Sequence, residues 1–401
     1  MEFAWTDEQQ QGYAEARLFA QRQLNRVPPE DATRWRERWR RCAEFGLTGI
    51  NIPIGFGGLG SDTRSALHVL EGLGQGCRDN GLLMSLGAQL WSVVAPLVSF
   101  GSEEQKQTWL PPLAAGEMVA AFALTEPESG SDVFHLRTRA VSEAGGFRLS
   151  GTKIFVTNAP LADLFLLLAA SDSQAGYFGL TAFVLRRSAA GLEIGPPLRK
   201  MGLESSPMAE VRLHEVWVPQ QAVLGEVGGG GAVVQHTLEW ERGCLLAPAL
   251  GTMARLLELT TAHCRARKQF GRPVAEFEAV GARLAQMRLR LEVSRLLIYR
   301  FAWLKDCGQA AGLEASLAKL YVSESLRYAA ESAVHLHGAA GYMRELEFEG
   351  DWRDAMASSL YSGTTEIQHN LIADSLLRWR APSSADDLET PGRLFGQGVA
   401  G

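Results

Sequence analysis

The spacing of apolar residues changes twice along this 401-residue chain, and that double change restricts the fold more than any single motif does. Over residues 6–115 apolar residues recur at helical intervals. Thr6-Asp7-Glu8-Gln9 has the pattern of a capping box and opens the first helix. Residues 53–60 form a glycine-rich break. Gly101-Ser102-Glu103-Glu104 starts another short helix, and Pro111-Pro112 is expected to end it because proline has no N–H to give. Over residues 119–226 the texture shortens. Segments 147–150, 154–157, 164–169, 180–185 and 210–218 read as separate strands between glycine and polar turns. Gly228 through Gly231 reads as a linker, after which helical spacing resumes to about residue 380. Segments 255–267, 280–306 and 315–336 are the long helices expected there. The expected organisation is an N-terminal helical domain (1–117), a central β domain (118–227), a C-terminal helical domain (228–382) and a flexible tail rich in small and polar residues (383–401).

Composition narrows the function classes. Apolar residues make up 46% of the chain, enough for a large core. No run is expected to be long and apolar enough to span a bilayer. The start, Met1-Glu2-Phe3-Ala4-Trp5-Thr6-Asp7, has no basic region followed by an apolar one, so no secretion signal is expected. Cys42, Cys77, Cys244, Cys264 and Cys307 are scattered, odd in number and form no CxxC pair. Reduced thiols in a cytoplasmic protein are the simplest reading. A net charge of −6 argues against a general nucleic-acid binder.

Five short segments could bear chemistry, and each also has a plainer reading. Leu124-Thr125-Glu126-Pro127-Glu128-Ser129-Gly130-Ser131-Asp132 offers hydroxyls and backbone N–H groups to a ring edge or a phosphate, or is a well-capped turn. In Gly151-Thr152-Lys153-Ile154-Phe155-Val156-Thr157-Asn158-Ala159, Thr157 ends a strand at a turn. The cations of Arg265-Ala266-Arg267-Lys268-Gln269-Phe270-Gly271-Arg272-Pro273 close a long helix, where they complement its dipole or hold a phosphate. His335 and His337, two apart on a helix, point to opposite sides, so no metal site is expected there; Gly338 is a helix stop. Ser362-Gly363-Thr364-Thr365 precedes a helix, and its free N–H groups suit a phosphate or a carbonyl, or merely cap the helix.

Taken together, ALTEPESGSD, GTKIFVTNA, RARKQFGRP, HLHGAAGY and YSGTTEIQ stand in the order and rough spacing found in the acyl-CoA dehydrogenase family, and the resemblance covers residues 6–380. It implies an α+β fold with an N-terminal helical domain, a central β-barrel-like domain and a C-terminal four-helix bundle. It implies FAD between the β domain and the C-terminal helices, and oxidation of acyl thioesters to α,β-unsaturated products. By motif match Leu124, Thr125, Gly130, Phe155 and Thr157 meet the flavin, with Thr157 near N5, and Ser131 lies by the FAD phosphates and the substrate. Arg267, Gln269 and Phe270 match the segment that reaches a neighbouring subunit's FAD. His335, Gly338 and Ala339 match the adenosine region, although family members commonly have Gln and Gly where this chain has His335 and Ala339. Thr364 and Glu366 match the diphosphate and ribose loop. The resemblance also implies a homotetramer built as a dimer of dimers, or a homodimer, with electron-transfer flavoprotein or oxygen as acceptor.

The family removes the substrate's α proton with a carboxylate at one of two positions. One is residue 362, a serine here. The other lies on the helix after the glycine linker, as in relatives resembling isovaleryl-CoA dehydrogenase, and matches Glu241. Helical spacing agrees: Val234, Leu238, Glu241 and Leu245 share one apolar stripe, where a carboxylate is costly unless paired or functional. Pro248 is expected to bend this helix. Glu239, on the other side, is expected to pair with Arg242, one turn away. Glu239 and Arg242 also match the pantetheine arm, and Trp240, Tyr361 and Gly363 border the substrate. Ser362 keeps its backbone N–H for the thioester carbonyl, which stabilises the developing enolate. Trp91, Met84, Trp240 and Tyr361 shorten the acyl cavity or pack the core. The stretch from Asp79 to Leu86, Glu239 to Arg242 and the Ser362 loop resemble dehydrogenases of aminoacyl, prolyl or hydroxyacyl groups on carrier proteins. Acyl-CoA remains the other substrate class. A flavin monooxygenase or oxidase on the same fold, and a non-enzymatic flavin-binding scaffold, are the alternatives; nitroalkane-oxidising relatives are expected to keep an acid at residue 362.

Overall fold

In a computed structural model, which describes residues 4–25 and 31–378, helices flank a single central sheet. The expected tail lies outside the described residues. The N-terminal helices are α1 (Asp7–Gln23), α2 (Ala32–Glu44), α3 (Thr63–Gly76), α4 (Asn80–Gln89), α5 (Ala95–Phe100) and α6 (Glu103–Ala114). Thr6 and Ser102 each close a full capping box, with Gln9 and Gln105 as the reciprocal partners. Strands β1 (Ala120–Ala123), β2 (Arg139–Glu143), β3 (Gly146–Thr157), β4 (Leu164–Ala170), β5 (Leu180–Arg186), β6 (Leu192–Ile194), β7 (Met208–Pro219) and β8 (Val223–Leu224) follow. They join in the order β6-β7-β3-β2-β4-β5-β8, with β1 parallel to β4. Then come α7 (Gly230–Cys244), α8 (Ala247–Ala266), the short hairpin β9 (Lys268–Gln269) and β10 (Arg272–Pro273), α9 (Glu278–Asp306), α10 (Gly312–His337), α11 (Ala339–Tyr342), α12 (Phe348–Ala357) and α13 (Thr365–Arg378).

Two apolar cores meet along α7. The first joins α3 to the C-terminal helices through Leu67, Leu70, Leu250, Met253, Ile298 and Phe301. The second packs Val94, Leu97 and Leu110 against Leu164, Leu166, Leu180 and Val234 on one face of the sheet. A third fills the other face with Phe147, Leu149, Phe165 and Phe183. Strand β4 is buried along its whole length, as its unbroken apolar run requires.

Several sequence expectations need correction. Pro111 and Pro112 lie inside α6, which runs on to Ala114; they fall in its last turn, where few further N–H bonds are forfeited. Segments 147–150 and 154–157 are one strand, β3, broken only by shifts in register against β7. Gly230 and Gly231 are the first turn of α7 and not a loose linker. A Cβ on Gly230 would come within 2.7 Å of the Leu180 backbone, and one on Gly231 within 2.5 Å of the Tyr177 carbonyl, so these glycines let the helix sit directly on β5 and its approach. Pro248 does not bend α7, because α7 stops at Cys244 and Pro248 sits in the opening turn of α8, where it costs no hydrogen bond. Finally, Asn80–Phe100 is one 21-residue helical stretch long and apolar enough, by length and composition, to cross a membrane, and most of it is buried inside the protein. The extra length comes from Leu90–Val94, a π-helical turn that joins α4 to α5 without a break.

Candidate active site

Glu241 sits where the two cores meet. On the α7 stripe, Val234 and Leu238 belong to the sheet core and Leu245 to the helical core, with Glu241 between them and only 8% exposed. Its carboxylate Oε2 accepts a 2.6 Å hydrogen bond from the Ser362 hydroxyl. Burial pushes the carboxyl upward from its ordinary range, while the hydroxyls of Ser362 and Ser92 and the charge of Arg242 pull it back. Ser92 comes from the π-helical turn, a device common at functional sites because it re-aims side chains within a helix.

The loop that presents Ser362 is held firmly. Ser362 is left-handed (φ 56°) and Gly363 follows at φ 90°. The Ser362 carbonyl accepts from Arg242 Nε (3.1 Å) and from Gln368 Nε2 (3.2 Å), and Gln368 Nε2 also reaches the Gly363 carbonyl at 3.0 Å. Gln368 itself is fully buried. Among the described residues no acceptor takes the N–H of Ser362, Gly363 or Thr364, so three donors at the start of α13 stay available. Tyr361 lies partly buried beside Glu241, and burial followed by that carboxylate's charge pushes its phenol upward.

Trp240 is next to Glu241 in the chain and Trp91 is next to Ser92. Their indoles stack with centroids 5.7 Å apart and planes within 3°. Glu239 does not pair with Arg242 as expected. It binds Lys305 Nζ on α9 at 2.9 Å, and the same ammonium lies 4.8 Å from the centre of the Trp240 ring. Arg242 is therefore left to the Ser362 carbonyl.

A second group of residues lines one edge of the sheet domain. The Ile154 N–H donates to the Thr125 carbonyl at 2.8 Å, which brings the two glycine-bearing motifs side by side. Between Lys153 and Val156 the register with β7 slips, Phe155 takes φ 57°, and its ring is turned out to 58% exposure. Thr125 and Thr157 are half-buried, and Gly130 and Ser131 are exposed; an added Cβ at Gly130 would touch nothing within 4 Å. Leu124 is buried and fixed from below: Lys153 Nζ donates to its carbonyl at 2.9 Å and to Glu126 Oε1 at 2.7 Å. Burial pushes the Lys153 ammonium down to about 8, against the pull of Glu126.

A third group gathers at the far ends of α8 and α10. Arg267, Gln269 and Phe270 are exposed around the β9–β10 hairpin, and His335, Gly338 and Ala339 are exposed where α10 stops. The His263 and His337 rings, 4.2 Å apart, hold the two ends together. Within one chain no hydrogen bond or ring contact among the described residues joins this group to the sheet-edge group. Thr364 and Glu366 stand at the start of α13 beside the Ser362 loop.

Sequence profiles of the N-terminal, middle and C-terminal domains of acyl-CoA dehydrogenase match residues 6–117, 121–216 and 228–377. The chain belongs to the acyl-CoA dehydrogenase family. This family member is 39% identical to an L-prolyl-[peptidyl-carrier protein] dehydrogenase of Pseudomonas fluorescens over 378 residues, 94% of the chain and 100% of the relative. Its fold matches the prolyl acyl carrier protein oxidase AnaB with a TM-score of 0.91 at 41% identity, covering 93% of the chain and 100% of that structure. It matches PigA, solved with FAD and proline, with a TM-score of 0.91 at 35% identity, covering 94% and 99%. Like its family, the chain is a flavoprotein oxidoreductase that acts on CH–CH groups with FAD as cofactor. The residues present suit that cofactor: free N–H groups and hydroxyls at a helix start, an open glycine beside Ser131, and half-buried threonines at the end of β3 and in the loop beside it.

Sequence reasoning did not find Ser92, Lys305, Lys153 or Gln368. Lys153 left a signal, since a lysine in the middle of an apolar strand needs a buried partner. The others sit on helices whose sequence gives no sign that they face α7 or the Ser362 loop.

Proposed function

We propose that this flavoprotein dehydrogenates an acyl thioester between the α and β carbons, with Glu241 as the base, and that the acyl group is an aminoacyl group, prolyl above all, carried on a carrier protein. The carboxylate of Glu241, buried where two cores meet and bonded to the residue that replaces the family's other base, carries this reading. The α C–H gives its proton to the Glu241 carboxylate. The β C–H bond leaves with its electron pair, and a Cα=Cβ double bond forms. Bound FAD supplies the hydride acceptor, held by Leu124, Thr125, Gly130, Ser131, Phe155 and Thr157, with Thr364 and Glu366 near its diphosphate and ribose. The unbonded Ser362 N–H donates to the thioester carbonyl and stabilises the charge that develops there. Burial makes Glu241 a stronger base than a solvated carboxylate and excludes water from the proton it takes.

The prolyl carrier reading is supported by the relatives named for that substrate, which the chain matches over nearly its whole length. An assembly of two or four copies is proposed from Phe270, 92% exposed at a hairpin tip, and from the exposed end of α10. Both would complete the FAD site of a neighbouring copy.

The test is anaerobic reduction of the flavin by a prolyl-loaded carrier protein and by a panel of acyl-CoAs. Prolyl carrier should bleach the flavin. Glu241→Gln should slow that bleaching by about 10²–10⁴, the usual worth of a general base. Bleaching by short branched acyl-CoAs alone refutes the carrier reading, and wild-type bleaching by Glu241→Gln refutes the base.

A further inference from the structure

On the reading of Glu241 as base, we propose that Ser362 is its positioning residue: the Ser362 hydroxyl, with Ser92 behind it, aims the carboxylate and keeps it ionised. None of the charged side chains around Glu241 forms a hydrogen bond to it among the described residues. Arg242 Nε on α7 is taken by the Ser362 carbonyl. Lys305 on α9 is bound to Glu239. Lys319 on α10 lies near Arg242 and Glu366 and makes no hydrogen bond to Glu241. Tyr361, the titratable neighbour on the loop, resists ionisation. Among the described residues no cation donates a hydrogen bond to Glu241, so its hydrogen bonds come from neutral donors and Arg242 acts on it only through space. A buried carboxylate in that position reverts to the acid unless hydrogen bonds favour the charged form.

The geometry suits the task. The Ser362 carbonyl is fixed by Arg242 and Gln368, and its backbone is held left-handed. Those constraints fix the direction of the Cβ, and therefore of the hydroxyl that donates to Oε2 at 2.6 Å. Hydrogen bonds to charged groups are the stronger kind, and their loss weighs most where water cannot replace them. The hydroxyl neither gains nor loses a proton across the reaction. It touches the base, not the substrate.

Ser362→Gly separates this role from a structural one. Glycine accepts the left-handed backbone at no cost and keeps both the N–H and the carbonyl. Two measurements apply. The first is the pH dependence of flavin reduction in the holoenzyme, with a prolyl thioester of pantetheine as substrate. The second needs no turnover: the carboxyl stretching band of Glu241 is titrated by infrared difference spectroscopy, assigned by its absence in Glu241→Gln. The expected result is that Ser362→Gly moves both the acid limb and the infrared titration upward by roughly one pH unit. The rate falls about tenfold below the limb, recovers at high pH, and KM stays nearly constant. Ser362→Asn, which tolerates the left-handed backbone and restores a donor, should move the limb part-way back. A loss of rate equal at every pH, or an infrared titration that does not move, overturns the proposal. If Glu241→Gln itself reduces the flavin normally, the base assignment fails instead, whatever Ser362→Gly does.

Discussion

Lys153→Met removes the charge beneath the loop that carries Leu124 and Thr125 while nearly preserving side-chain length. In the wild type the Lys153 side chain is fully buried and the Glu126 side chain nearly so. Glu126 accepts from Lys153 Nζ at 2.7 Å, from the Arg137 N–H at 2.6 Å and from the Thr138 N–H at 3.0 Å. Methionine leaves that carboxylate buried with two amide donors and no cation, and strips the Leu124 carbonyl of its donor. Breaking a buried pair from one side costs about 3–5 kcal/mol, a large share of the ~5–15 kcal/mol that a folded domain holds in reserve. Urea unfolding of the holoenzyme at neutral pH measures the loss. Flavin fluorescence on dilution measures FAD affinity, which should weaken in the same variant because Leu124 and Thr125 hang from this pair. Adding Glu126→Gln should recover part of the stability, since no unpaired charge remains and the amide oxygen keeps one of the two backbone donors. A loss below about 1 kcal/mol for Lys153→Met, or a double variant no more stable than the single one, would refute the account of what holds this loop.

Acid should weaken the fold through buried imidazoles. His68 stacks on Trp5 at 3.8 Å and meets the Tyr299 hydroxyl at 3.2 Å, and burial pushes its pKa down to about 4. The folded protein then resists a proton that the unfolded chain accepts, so stability is full above about 6.5 and falls as pH drops toward 4; at pH 5 the loss is about 2 kcal/mol from this group alone. Urea midpoints at pH 7 and pH 5 check it, and His68→Phe should flatten the difference; equal wild-type midpoints would rule it out. Trp91→Ala should cost about 3–5 kcal/mol, because the ring is 1% exposed and stacked on Trp240. A loss under about 1 kcal/mol in urea titration would mean that the indole pair lines open space and does not pack a core.

Much of this architecture is written in periodicity. The two changes of period separate the helices from the sheet, and the capping patterns at Thr6 and Ser102 mark true helix starts because the side chains that close them are three residues apart. The stripe with Glu241 is legible for the same local reason. What failed to show was set by distant partners. The ion pair of Glu239 goes to Lys305, 66 residues away, and not to Arg242, three away, because Arg242 is drawn to a carbonyl that only the fold brings near. The glycines at 230 and 231 look like slack until β5 is placed against them. The prolines of α6 look like a stop until their place in the last turn is known.

The 2.6 Å contact between Ser362 and Glu241 also bears on how such a site changes over time. On the proposed reading of Glu241, the two positions from which a base can be supplied are here the two ends of one hydrogen bond. A lineage can therefore move the base from one element to another without rebuilding the substrate pocket, because either carboxylate would reach nearly the same point. The obstacle lies in the intermediate step. Two acids so close would share a proton and raise each other's pKa, and a chain with neither would be inert. Passage through the shared-proton form is the open route, and a small donor such as serine at the vacated end is a way to complete it: it relieves the repulsion and leaves the remaining acid anchored.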